Sequence, residues 1–438
     1  MDTLTTDARD LYVADFDRVA KTLPGFADLR RKAMARFAEK GFPTGREERW
    51  RFTDTTPVTE LHFKPAAGTA NPSQFAGLAA GALKALQITF VDGRFAPAFS
   101  TLDLPAGVGV ASLADVIKSA PEVVAPFVLV PEEPFELLNT ALFRDGAVLR
   151  IGDGVTVDRP IHVLFLSSLH GEPYAMHPRM MISLGRDARA SVVKSYLGPS
   201  GGTYLLNAVT TAALADGSSL DLTKVQRESP QAFHFESLDV RVGRGAAFTH
   251  HSISLGARLA SNDFDVTLEG EGAECSLFGL YEVAGQQHVD HHTTIDHAKP
   301  NCTSRELYKG ILDGRSRGVF VGRIIVREGA SKTDAHQTNK NLLLSREALV
   351  DSVPQLEILA SDVKCKHGST TGQLDPAALF YLRSRGIDEA AARSLLVSAF
   401  AGDVVGRVGV PALRAALESH LRERLPGLRD RQIQEAVL

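Results

Sequence analysis

The sequence predicts a mainly β protein: a flattened, right-handed parallel β-helix with two strands per rung, set between helical regions. Three observations predict it. Charged residues followed by a turn former or Ala recur as Asp187-Ala188, Asp216-Gly217, Arg244-Gly245, Glu271-Gly272, Lys299-Pro300 and Glu328-Gly329. Their second members lie 29, 28, 27, 28 and 29 residues apart, the regular spacing of a solenoid. A second series of turn-like sites falls between them: Pro199 to Gly202, Ser229-Pro230, Gly256-Ala257, Ala284-Gly285, Asp313-Gly314 and Ser345-Arg346. Each repeat therefore holds two strands of roughly 8–10 residues. The intervals alternate and favour β residues, as in 191–197 (SVVKSYL) and 318–326 (GVFVGRIIV). About eight rungs at roughly 4.8 Å each make a stack some 35–40 Å long. An antiparallel sandwich would carry strands at the same density, but the even period argues against it.

Along the chain this gives a helical and mixed region over 1–140, the β-helix over 141–370, and a helical region over 371–438. In the first, Leu11, Phe16, Val19 and Leu23 recur at helical spacing. A second run carries Phe26, Leu29, Met34 and Phe37 until Gly41 and Pro43 stop it. Trp50 reads as core. The run Leu86–Val91, followed by Asp92-Gly93 and Arg94-Phe95-Ala96, is a hairpin signal. After Gly372, Asp375 followed by Pro376 marks a helix start. Leu379, Phe380 and Leu382 give that helix an apolar face, and Gly386 ends it. Asp388 caps a second helix bearing Ala391, Leu395, Leu396 and Ala399. A third runs from Pro411 to about Leu425, with a short one after it towards Leu438. The expectation is a small bundle closing the last rung.

At 438 residues the chain exceeds one compact core unless the fold is elongated. Its 44% hydrophobic and 23% charged residues are ordinary for a soluble protein, and a net charge of −4 gives no reason to expect nucleic acid or an anionic membrane as partner. Three cysteines, Cys275, Cys302 and Cys365, cannot build a disulfide framework and fit a reducing cytoplasm. The N-terminus has no basic and apolar leader pattern, and no apolar run reaches the roughly 18 residues of a membrane span.

The chemistry concentrates near the C-terminal end of the repeats. In Asp362-Val363-Lys364-Cys365-Lys366-His367-Gly368 a thiol and an imidazole stand two residues apart on a strand, so they share a face. They form a soft half-site for iron or another thiophilic metal, short of the ligands a closed site needs. Lys364 and Lys366 on the other face would favour the thiolate of Cys365. In His288–His297, His288, Asp290 and His292 share one strand face and His291 takes the other. They could suit a divalent metal or acid–base work, but the reading favoured is a polar ladder partnered by neighbouring rungs. His250-His251 reads the same way. Cys275 and Cys302, one repeat apart, either stack on adjacent rungs or serve as small buried hydrophobes. No Gly-x-x-x-x-Gly-Lys-Ser/Thr loop occurs, so the chain is not expected to hydrolyse ATP, and there is no Gly-x-Ser-x-Gly elbow.

The ordered stretch Pro354–Ile358, Val363–Gly372 and Phe380–Ile387 resembles the SufB/SufD family of iron–sulfur cluster assembly proteins, on its SufD side. Gln337-Thr338-Asn339 and Asn341–Leu344 are similar in the same sense. The SufB paralogue is expected to carry its scaffold cysteine near there, and here there is none. Weaker similarity reaches back to about Phe135 and loosely to Glu48–Thr53. The resemblance implies a β-helix core and a non-catalytic, cytoplasmic subunit with no tightly bound cofactor of its own. It implies a heterodimer with a SufB-type scaffold subunit and a SufC-type ATPase docked on the C-terminal helices, roughly 376–405, with a homodimer possible in isolation. Iron or a nascent iron–sulfur cluster would pass transiently through the interface. Carried over by motif position, His367 is the metal ligand or iron-entry group and Cys365 the second candidate. Two alternatives stay open: a self-sufficient SufB-type scaffold, and a β-helical carbohydrate-active enzyme.

Overall fold

The repeat period becomes two parallel sheets wound from one continuous coil. The computed structural model describes residues 8–66, 83–101 and 103–424. Eight rungs run from the strand pair Gly146–Ile151 and Ile161–Leu166 to the pair Leu349–Ile358 and Lys364–Gly372. The first strand of each rung joins one sheet and the second strand the other, all parallel and in unbroken register.

The turn residues explain how the coil closes. Asp187, Gly217, Gly245, Gly272, Asn301 and Gly329 all have positive φ, and so do Ala257, Gly285 and Gly314 in the second series. A left-handed residue reverses the chain in minimal length, and Gly, Asn and Asp adopt it with least strain. The expected hairpin is present: Phe90 pairs with Phe95 and Val91 with Arg94. Positive φ at both Asp92 and Gly93 is the combination whose twist matches a two-residue hairpin.

Inside the coil, alternate residues of the strands beneath the last rung are buried. One inward column of the second sheet reads Val163, Lys194, Lys224, Ser252, Gly279, Tyr308, Asn339, Ser369 through successive rungs. Gly279 is there because a Cβ would come within 2.1 Å of the Tyr308 ring. The interior is unusually polar. Glu236 pairs with both Lys194 and Lys224, the latter at 2.8 Å, and all three side chains are fully buried. Burial alone would raise the Glu236 carboxyl, but the two ammonium groups and His234 hold it well below the usual carboxylate range.

Helices cover the outer faces. Ala8–Val19, Ala27–Lys40 and Pro134–Leu142 form a layer beside the first sheet. Trp50 is buried there beside Phe135 and Phe235, whose rings stack at 3.6 Å. The expected stop at Gly41 is seen, its N–H reaching the Phe37 carbonyl at 2.7 Å. Buried Arg30, which sequence reading passed over, donates to the carbonyls of Pro24, Gly25, Ala141 and Phe143 and ties two of these helices together.

The C-terminal helices overturn one expectation. Asp375 and Asp388 do cap Pro376–Ser384 and Glu389–Val405, each accepting a backbone N–H at 2.9 Å. The third helix spans Pro411–Arg424, and the short helix expected after it lies outside the described residues. These helices do not close the last rung. Glu389–Val405 and Pro411–Arg424 fold back along the outer face of the second sheet, where Val225, Ile253, Leu280, Ile311 and Leu342 pack against Val397, Ala401, Val404, Leu413 and Leu417. The reason is apolar area: that outer face carries the row Val225–Ile253–Leu280, whereas the last rung offers a narrow, mostly polar edge. Lys309 continues the row and fastens the helix by donating to the Phe400 carbonyl at 2.8 Å and to Asp403. Of the residues named for the second helix, Ala391 is buried, together with Ala392, Val397 and Ala401, while Leu395 is exposed.

Candidate metal site

The two ends of the solenoid differ. At its start, antiparallel strands Val108–Ser112 and Arg94–Phe95 terminate the two sheets. At its finish, Leu349–Ile358 and Lys364–Gly372 are edge strands, each paired on one side only. Long unpaired strand edges are templates for another chain.

This end carries the sequence-predicted site residues. Cys365 lies in register with Ala335, and His367 with Gln337. In the rung beneath, Ala335, Gln337, Asn339 and Asn341 are buried and point into the coil. By parity Cys365, His367, Ser369 and Thr371 extend the same inward columns. No further rung covers them, so His367 is exposed and Cys365 half-buried. The strand assignment and the shared face of Cys365 and His367 are as expected from sequence.

One expectation about Cys365 is corrected. Its thiol is pushed up, first by burial against Ile324, Val326 and Ala335 and further by the Asp334 carboxylate, with a backbone contact at Ala335 acting the other way. Lys364 and Lys366 do not favour the thiolate, because both are exposed and solvated on the outer face.

The rung beneath supplies what the sequence did not reveal. Gln337 Nε2 donates to Glu306 Oε2 at 2.7 Å, and Glu306 sits one rung deeper in the same column as His367. Burial raises the Glu306 carboxyl to about 7, against hydrogen bonds from Thr293 and Gln337. Strand parity would have found this column, since Glu306, Gln337 and His367 occupy equivalent places in successive repeats.

The histidine cluster has another role. His288, Asp290 and His292 do share the outer face and His291 faces inward, but their partners come from the N-terminal segment and their own strand. Thr53 Oγ1 donates to Asp290 Oδ2 at 2.5 Å and lies 3.1 Å from His288 Nε2, while His292 Nε2 lies 3.1 Å from Asp290 Oδ1. Burial would raise Asp290, yet His292 and Thr53 bring it down to about 2. Beside this latch runs a groove of about 950 Å³ lined by Arg49, Arg51, His292, Arg323 and Glu357. Several of its charges are already matched, Arg49 with Asp263 at 2.6 Å and Arg323 with Glu357. His291 packs among the rings of Phe264, Tyr281 and Tyr308, and burial drives its imidazole down to about 3. His250 is likewise buried and held neutral. Cys275 and Cys302 are both buried; Cys275 stacks in register on Ser304, not on Cys302. Among the described residues no three His, Cys, Asp or Glu side chains converge to hold a metal.

The fold is a parallel β-solenoid whose last rung is unpaired on one side and carries a thiol and an imidazole. Comparison with known proteins supplies the class. Residues 167–400 match the family model "SUF system FeS cluster assembly, SufBD core domain", and residues 4–163 match "SufBD protein N-terminal region". The iron–sulfur cluster assembly protein SufD of Escherichia coli is 31% identical over 88% of this chain and 90% of its own length. A SufBD family protein of Synechocystis is 31% identical over 86% of both chains, and one of Mycobacterium bovis 29% over 92% and 94%. The chain belongs to the SufB/SufD family of iron–sulfur cluster assembly proteins, as its last repeats and first C-terminal helix suggested. That assignment takes the place of the carbohydrate-active alternative. No described helix is long and apolar enough to cross a membrane.

Proposed function

We propose that this chain is the SufD-type, non-catalytic subunit of a cytoplasmic iron–sulfur cluster assembly scaffold. Its open end meets a SufB-type subunit, and iron or the nascent cluster passes through the interface as cargo. The observation that carries this reading is the uncapped last rung, which leaves His367 and Cys365 in interior columns that are open to solvent. Leu349, Ile358 and Leu359 are exposed beside them, apolar area that a docked partner would cover. In its neutral form His367 offers a ring nitrogen to iron, and the partner supplies further thiolate. Without that partner, the same edges can pair two copies of this chain.

The SufC-type ATPase docks on Pro376–Ser384. That helix buries no residue of its own, and Phe380 and Tyr381 are 75% and 56% exposed. Glu389–Val405 follows it directly and is fixed to the second sheet, so movement of the ATPase is passed to the solenoid wall. The three unpaired cysteines suit a reducing compartment.

The test is cluster assembly in the complex of all subunits. His367→Ala should reduce cluster yield strongly with an unchanged melting temperature, and wild-type yield would remove His367 from the site. Full, stable cluster loading of the isolated chain would favour the self-sufficient SufB-type scaffold instead.

A further inference from the structure

We propose that Gln337 and Glu306 are positioning residues for His367, holding its imidazole in one neutral tautomer so that the other ring nitrogen faces the incoming cation. The inference rests on His367 being the metal-ligating group of the preceding section. Its basis is a column of three side chains, one per rung: Glu306 pairs in register with Gln337, and Gln337 with His367. Rungs are roughly 4.8 Å apart, so neighbours in such a column touch.

The amide of Gln337 has one end committed and one end free. Its Nε2 donates to Glu306 Oε2 at 2.7 Å, while its Oε1 is buried with no hydrogen-bond partner. The residue is only 2% exposed. A carboxylate can only accept, so an ionised Glu306 fixes which way the amide points. The remaining oxygen can only accept as well, and a buried carbonyl oxygen left unmatched is costly. Covering this column on its open side is His367, whose neutral ring carries one N–H. Donation of that N–H to Gln337 Oε1 satisfies the orphan and specifies the tautomer. Metal-binding histidines are commonly oriented by an acceptor of this kind on the second nitrogen. Space for the arrangement has been left across the coil, where a Cβ on Gly322 would lie 2.3 Å from Gln337 Nε2.

The test uses the full-length chain, labelled with nitrogen-15 in its histidines, at pH 8, above the value of about 7 to which burial raises Glu306. His367→Ala identifies the His367 ring signals by their loss. In the wild type those signals should report a single tautomer. In Gln337→Leu, which removes the amide, they should report a mixture, and Co²⁺ added alone should bind about 10-fold or more weakly, read by paramagnetic broadening of the same ring. Glu306→Gln permits either amide orientation and should shift both readouts the same way by less; it carries the test if Gln337→Leu does not fold. A mixture of tautomers in the wild type, or a single tautomer and full Co²⁺ affinity in both variants, overturns the inference while leaving His367 as ligand. Undiminished Co²⁺ binding by His367→Ala, read by titration calorimetry, would instead remove the reading on which it rests.

Discussion

Lys309→Met should loosen the C-terminal helix without unfolding the solenoid. Lys309 is 3% exposed and projects from the outer face of the second sheet into helix Glu389–Val405. Its ammonium donates to the Phe400 carbonyl at 2.8 Å, pairs with Asp403, and lies 4.5 Å from the centre of the Phe400 ring. The two contacts are unequal. Asp403 is 59% exposed, so water screens the ion pair, and pairs of that kind are worth about 0–1 kcal/mol. The half-buried charge-assisted bond to Phe400 contributes about 1.5–3 kcal/mol. Methionine keeps most of the stem packing, so the polar loss dominates. The apolar contacts of Val397, Ala401 and Val404 remain and keep the helix docked. Opening of Glu389–Val405 should therefore become easier by about 1.5–3 kcal/mol, or roughly 10- to 150-fold in amide protection. Hydrogen exchange resolved by mass spectrometry measures this. Unchanged protection in 389–405, or a loss spread evenly over the strands, would refute the reasoning.

Other outcomes follow from the same structure. Glu236→Gln strands two buried ammonium groups and should cost about 3–5 kcal/mol in urea unfolding, whereas replacing Lys194, Lys224 and Glu236 together by Met, Met and Leu should recover much of it. His291 has its pKa depressed from 6.5 to about 3, so its contribution is present above pH 6.5 and lost as pH falls from there towards 3. Relative to His291→Phe, the wild type should lose about 2 kcal/mol more stability between pH 7 and pH 5, and parallel pH profiles would contradict this. Phe380→Glu with Tyr381→Glu should abolish capture of the ATPase at an unchanged melting temperature; retained capture would exclude Pro376–Ser384 as the docking helix.

The repeat architecture was legible because its cause is local. A turn every 14 residues or so needs Gly, Asn or Asp at a left-handed position, and those residues stand in the sequence at Gly217, Gly245, Gly272, Asn301 and Gly329. Helix starts at Asp375 and Asp388 were legible for the same reason, since a cap is set by a side chain and a backbone two or three residues away. The shared face of Cys365 and His367 needed only strand parity. Less legible was the fate of His288, Asp290 and His292: parity put them on one face, but Thr53, more than two hundred residues earlier, turns them into a latch.

By itself, then, the sequence determined the period, the turns, the caps and the family, because each depends on neighbours within a few residues or on an ordered motif. Tertiary structure decided where the helices go and which end of the coil stays open. That choice depends on the total apolar area each surface offers: the outer row Val225, Ile253 and Leu280 drew the C-terminal helices to the side of the solenoid. It also gave Cys365 a raised pKa and put Gln337 and Glu306 beneath His367, because both effects arise from atoms brought together across rungs.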